Sequence, residues 1–189
     1  MFFDDLLIVV VWAVFYAYWL ISAYLTRSPV KRRQSRWTFL SYGVIWVVLP
    51  IVLLDIFAPG LESLRVLPDD PVFFVIGLVI TLTGLAFAIW ARVHLGKNWS
   101  GLPTIRQDHT LVRTGPYRYV RHPIYSGLTL ALVGTAIGIG YLAIFFGVIL
   151  VFVLFLIKSH LEEQFLLEEF GEQYEQYKRE VKSIIPFVI

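Results

Sequence analysis

Two short stretches of the 189-residue sequence gather acids, bases and aromatic rings whose types could do chemistry. One is Arg121-His122-Pro123, with Tyr117 and Tyr125 close by; the other is Glu162-Glu163, preceded by Lys158 and His160. An imidazole or guanidinium grips a carboxylate through charge-assisted hydrogen bonds. A carboxylate suits an ammonium or sugar hydroxyls. Placed together, these groups would hold a zwitterionic ligand. Each also has a plainer role. His122 can simply precede a helix that has Pro123 at its first position, and Lys158–Glu162 is an i,i+4 ion pair. His94 reads as an interfacial histidine. It is the joint placement of the two stretches that points to a site.

Other chemistries are poorly supported. There are no cysteines, hence no disulfides and no thiol nucleophile. The four histidines, His94, His109, His122 and His160, never pair at i,i+4, so no metal is expected. Gly138-Ile139-Gly140 follows no strand and reads as a turn rather than a nucleotide loop. No nucleic-acid partner is expected.

The elements that must position these residues are membrane helices. The chain is 58% apolar and only 16% charged, with a mean hydropathy of +0.71; soluble domains are nearer 45–50% apolar and about 25% charged. Four charge-free stretches stand out: residues 6–26, 37–54, 71–91 and 123–157. About 20 apolar residues cross a hydrocarbon core, so the first three fit one crossing each. The fourth, at 35 residues, would make a helix of roughly 52 Å, too long for one. With Gly138-Ile139-Gly140 near its middle, it reads as a helical hairpin. The expectation is one all-α integral membrane domain over residues 1–189, with five spans at about 6–26, 37–55, 71–92, 123–139 and 141–160. The first stretch follows Asp4 and Asp5 rather than a basic region, and reads as a retained span rather than a cleaved signal.

Basic residues orient the domain. Arg27, Lys31, Arg32, Arg33 and Arg36 follow the first span. Arg92, Lys97, Arg106, Arg113, Arg118 and Arg121 lie between the third and fourth. Lys158, Lys178, Arg179 and Lys182 lie at or after the end of the fifth. The second connection holds Arg65 alone. The positive-inside rule then puts the N-terminus outside and the C-terminus in the cytoplasm. On this topology residues 92–127 and 158–177 share the cytoplasmic face, and the hairpin returns Arg121-His122-Pro123 and Glu162-Glu163 to within one or two helical turns of one depth.

The motifs in this region resemble a known family. Leu95-Gly96-Lys97-Asn98-Trp99-Ser100 is followed by His109-Thr110-Leu111-Val112-Arg113-Thr114-Gly115-Pro116-Tyr117-Arg118-Tyr119-Val120-Arg121-His122-Pro123-Ile124-Tyr125-Ser126-Gly127. Glu162-Glu163, Phe170-Gly171-Glu172-Gln173-Tyr174 and Ile185-Pro186-Phe187 come later. Over roughly residues 75–189 this is similar to the isoprenylcysteine carboxyl methyltransferase family, related to the phospholipid N-methyltransferases. The resemblance implies S-adenosylmethionine as cofactor, giving S-adenosylhomocysteine as product. It implies that His109, Thr110, Leu111, Val112, Tyr117, His122, Pro123, Ile124 and Tyr125 surround the cofactor and that Glu163 contacts it. Where eukaryotic carboxyl methyltransferases of the family carry an arginine about one turn before the acidic pair, this chain has Lys158-Ser159-His160.

The expected reaction is methyl transfer to a lipophilic acceptor at the bilayer surface. For a carboxylate acceptor, Arg121, Lys158 or His160 would orient the anion and no base is needed. For a phospholipid amine, Glu162 or His160 would serve as base. A non-enzymatic membrane scaffold is the third reading. Five spans with no inverted repeats and no mid-span charges argue against a transporter.

Overall fold

A computed structural model of the chain describes residues 2–25, 64–96, 110–186 and 188. The expected second span at 37–55, the basic cluster at 27–36 and His109 lie outside the described residues. Five helices are described: α1 Phe2–Leu25, α2 Pro71–Leu95, α3 Pro123–Ile139, α4 Leu142–Phe170 and α5 Glu172–Glu180, with a 3-10 turn at Gly115–Arg118. Among the described residues there is no strand, only isolated bridges pairing Arg65 with Tyr141 and Val120 with Lys182. The α1, α2 and α4 helices are long and apolar enough to cross a membrane, and α3 is a shorter apolar helix.

Local signals explain the boundaries. The Asp70 carboxylate accepts from the Val72 amide at 2.8 Å, capping α2, and Pro71 occupies the first turn, where an N–H would lack a partner anyway. Pro123 starts α3 in the same way. Gly140 ends it at φ 83°, a left-handed conformation that glycine adopts without a Cβ penalty. The chain reverses there into α4. No proline or glycine follows Gly147 until Gly171, so α4 runs on to Phe170, beyond residue 160 where the expected membrane span ends. Its 29 residues make a helix of about 43 Å, and its last turns extend beyond a ~30 Å hydrocarbon layer.

The tightest packing joins α2 and α3, which run antiparallel. A Cβ built on Gly77 would stand 2.4 Å from the Gly138 amide nitrogen, and one on Gly84 2.4 Å from that of Ala131. The backbones therefore touch along Gly77, Thr81, Gly84 and Ala88 on one helix and Gly127, Ala131, Gly134 and Gly138 on the other. In hydrocarbon, where apolar burial supplies little drive, such close approach lets dispersion and interhelical hydrogen bonds hold helices together. The Thr81 hydroxyl reaches the Ala131 carbonyl of α3 at 3.2 Å, and Trp12 Nε1 donates to Thr135 Oγ1 at 3.0 Å, tying α1 to the pair. Phe15 of α1 packs against Leu85, Ala88 and Ala131.

The hairpin has two distinct ends. At the turn end, the Val66 amide donates to the Gly140 carbonyl at 2.9 Å. At the other end, buried Arg92 donates through Nη2 to the Ser22 carbonyl at 3.1 Å, joining α1 to α2. His94 Nε2 lies 2.9 Å from Thr114 Oγ1, and its ring stacks on Tyr117. This second end also carries the chemically capable residues.

Candidate active site

Three pieces of chain converge where α3 begins. Residues 119–122 enter from the 3-10 turn. The α4 helix passes alongside with Glu162 and Glu163, about 30 Å from Leu142 at 1.5 Å per residue. The α5 helix and residues 181–184 then fold back over both.

Adjacent residues on a helix point about 100° apart, so the two acids enter different surroundings. Glu163 points inward and its side chain is 5% exposed. Its Oε1 accepts from Arg121 Nε at 2.9 Å and Nη2 at 2.6 Å, and from Ser183 Oγ at 3.3 Å. Its Oε2 pairs with Lys178 Nζ at 3.0 Å. The rest of the Arg121 guanidinium donates through Nη1 to the carbonyls of Lys178 and Val181. Glu163 thus serves as a charge hub linking α3, α4 and α5.

Glu162 is more open, with 32% of its side chain exposed. Its Oε1 accepts from the Tyr125 hydroxyl at 2.7 Å and lies 3.9 Å from Lys158 Nζ. The Lys158 ammonium also stands 5.4 Å from the Tyr125 ring centroid, within cation–π range. His122 sits between the acids, its Nδ1 3.6 Å from Glu162 Oε2 and its Nε2 3.4 Å from Glu163 Oε1. Burial alone would lower the His122 pKa, but the two carboxylates outweigh it and the value is raised. The imidazolium is favoured between the two acids. Burial chiefly holds the Tyr117 hydroxyl well above the ordinary tyrosine range, so that phenol stays neutral.

Aromatic rings line one side. His122 and Tyr125 stack at 5.5 Å and 10°, and Tyr125 and Phe155 at 4.8 Å and 11°. The three near-parallel rings run from the acid pair into the apolar body of the hairpin. Tyr125 and Phe155 belong to a buried cluster with Val151 and Ile184, against which Ile124 packs.

The structure therefore brings Arg121, His122, Pro123, Tyr125, Lys158, Glu162 and Glu163 to one mouth. Tyr117 is buried beside them, its carbonyl accepting the Tyr177 hydroxyl. Thr110, Leu111 and Val112 lead as irregular chain into the 3-10 turn, with Thr110 exposed. His160 is exposed and lies 3.2 Å from Gln164 Nε2. Sequence reading missed Phe155, Lys178, Ser183 and Ile184. Tyr174, Tyr177 and Lys178 at i, i+3 and i+4 did mark one face of α5, a signal that this helix packs inward through them.

An all-helical integral membrane protein with a charged mouth at one end of a helical hairpin is the class that this fold and site define. Residues 72–173 match the family profile described as phospholipid methyltransferase. The chain is 32% identical over 145 residues to protein-S-isoprenylcysteine O-methyltransferase B of Arabidopsis thaliana, covering 75% of this chain and 70% of that protein. It is 34% identical over 101 residues to protein-S-isoprenylcysteine O-methyltransferase of Schizosaccharomyces pombe, covering 52% of this chain and 43% of that protein. A solved eukaryotic intramembrane Ras methyltransferase, isoprenylcysteine carboxyl methyltransferase, superposes with a TM-score of 0.58 at 27% identity, over 84% of this chain and 55% of that one. The chain belongs to this family of membrane methyltransferases, which groups the phospholipid and protein-S-isoprenylcysteine enzymes. It spans about half the length of the Schizosaccharomyces pombe protein and of the solved structure.

Proposed function

We propose that the chain transfers a methyl group from S-adenosylmethionine to the carboxylate of a lipophilic, isoprenylcysteine-like acceptor, at a mouth facing the cytoplasm. The arrangement of His122 and Tyr125 around the partly open Glu162 carboxylate is the observation that carries the reading. These residues fit an amino-acid-bearing sulfonium compound. The imidazolium of His122 suits its carboxylate and the open Glu162 carboxylate its ammonium or ribose hydroxyls, while Tyr125, stacked between His122 and Phe155, orients Glu162 through its hydroxyl. The exposure of Glu162 against the saturation of Glu163 favours Glu162 as the acid that meets the ligand, with Glu163 holding the mouth together. When bound, the cofactor supplies an electrophilic methyl on a sulfonium.

The chain's own residues then orient the acceptor and exclude water. A carboxylate acceptor is ionised at neutral pH, so no base need remove a proton. Lys158 lies about one turn deeper along α4 than Glu162; an acceptor sliding in along Phe155 would meet this ammonium before the acids. That order favours an anionic headgroup over an amine. Packing around the His122–Tyr125–Phe155 stack removes water from the acceptor, which speeds a step in which opposite charges neutralise. The basic clusters support a five-span topology with the mouth in the cytoplasm.

The test is methyl transfer in liposomes from labelled S-adenosylmethionine to farnesylcysteine and, separately, to phosphatidylethanolamine. The expected product is formed with farnesylcysteine and releases methanol in base, as an ester does. A base-stable product formed only with phosphatidylethanolamine would establish the amine reading instead.

A further inference from the structure

The segment after α5 makes contacts unusual for so few residues. The Arg121 amide donates to the Lys182 carbonyl at 2.8 Å, and the His122 amide to the Ser183 carbonyl at 2.9 Å. The Ser126 hydroxyl donates to the Ile184 carbonyl. Ser183 Oγ reaches Glu163. Ile184 is 1% exposed and packs with Tyr125, Val151 and Phe155. Its neighbour Ile185 is 38% exposed. Each contact meets a residue of the mouth, or the residue one turn behind it.

These bonds answer a local need. Arg121 and His122 precede α3, so their amides have no partner within the helix, and buried backbone donors must find one. Only an acceptor brought in from elsewhere in the chain can supply it. Ile184 meanwhile sits in the same buried cluster as Tyr125, so its branched side chain limits how far that ring can shift.

We infer that residues 181–184 form a strap that positions the donor-binding groups. Ile184 acts through Tyr125, and the Lys182 and Ser183 carbonyls act through the backbone of Arg121 and His122. Strap residues touch no ligand; they fix the groups that do. This inference rests on the proposed methyl-donor site, and its test has one arm that needs no ligand.

In that arm, hydrogen exchange is followed on the full native chain in detergent. The Arg121 and His122 amides are expected to be protected as strongly as the middle of α3. Exchange at the rate of exposed amides overturns the strap, whatever the protein binds. In the second arm, S-adenosylhomocysteine is titrated into the native chain, Ile184→Ala, Ile184→Val and Ile185→Ala, and donor and acceptor KM are measured for each. Ile184→Ala is expected to weaken the affinity about tenfold and to raise the donor KM more than the acceptor KM. Ile184→Val restores binding to within about threefold, and Ile185→Ala binds as the native chain does. Native-like affinity in Ile184→Ala, or an equal loss toward donor and acceptor, overturns the inference. Should Ile184→Ala fail to fold, a native-like affinity in Ser126→Ala, which removes the donor to the Ile184 carbonyl, overturns it instead. Failure of the native chain to bind S-adenosylhomocysteine sinks the donor site itself, an outcome distinct from unprotected amides.

Discussion

Glu163→Gln and Glu162→Gln should fail in opposite ways. The Glu163 carboxylate is buried against Arg121, whose side chain is 8% exposed, with Lys178 and Ser183 on its remaining lone pairs. Breaking a buried ion pair by removing one partner costs about 3–5 kcal/mol. Glutamine keeps one oxygen for the guanidinium, and Arg121 retains the Lys178 and Val181 carbonyls, so the lower end, about 3 kcal/mol, applies. For a chain of this size that is a fall of roughly 6–12 °C in the unfolding midpoint. Glu162 is six times more exposed, and glutamine there can still accept from Tyr125. Its substitution should barely move the midpoint. It removes one charged hydrogen-bond partner of the ligand, worth about 1.5–3 kcal/mol, or roughly 10–100-fold in affinity. The assay is thermal unfolding in detergent beside calorimetric titration with S-adenosylhomocysteine. A Glu163→Gln chain as stable as the native one, together with an unfolding loss confined to Glu162→Gln, would refute the division of roles between the two acids.

Further consequences follow from the same contacts. Gly84→Val drives a branched side chain into the α3 backbone, and should destabilise the helix pair by about 1–3 kcal/mol or more, as overpacking does, read as a lower unfolding midpoint. Trp12→Phe loses the bond to Thr135 and should cost only about 0.6 kcal/mol, the usual worth of an interhelical hydrogen bond in a membrane, with ligand affinity unchanged in the same titration. His122 gives a pH dependence. Its folded pKa is raised, so its charge contributes fully below the ordinary histidine value of about 6.5 and is lost as pH rises through the raised value. The unfolding midpoint should therefore fall as pH rises through that raised value; a midpoint that rises with pH across that window would contradict a charged His122 in the folded chain.

Much of this was legible in the sequence because it depends on period and charge. A 35-residue charge-free run must fold back on itself, and Gly138–Gly140 offered the only glycine pair within it close to its middle. Once the turn is placed, helix rise alone carries His122 and Glu162 to one end. Three features were harder to see. Which of two neighbouring acids faces inward depends on the partner across the interface, here Arg121 and Lys178, and not on the pair itself. The α2–α3 contact depends on the register of Gly77 and Gly84 against Gly134 and Gly127, which spacing within one helix hints at without naming the partner helix. Residues 181–184 form no regular element, so no periodicity marks them. Their role comes from carbonyls that any residue carries. The expected span ends at about residue 160 because the charge at Lys158 marks where a helix leaves hydrocarbon, whereas the helix itself ends only where Gly171 breaks it.

The claim on which the rest depends is that the mouth shaped by His122, Tyr125 and Glu162 binds the methyl donor. Calorimetric titration of the folded native chain with S-adenosylhomocysteine tests it most directly. One saturable site, weakened by Glu162→Gln in a chain that keeps its native unfolding midpoint, is the expected result. No heat of binding in a monodisperse, folded sample, or binding indifferent to Glu162→Gln, would contradict it.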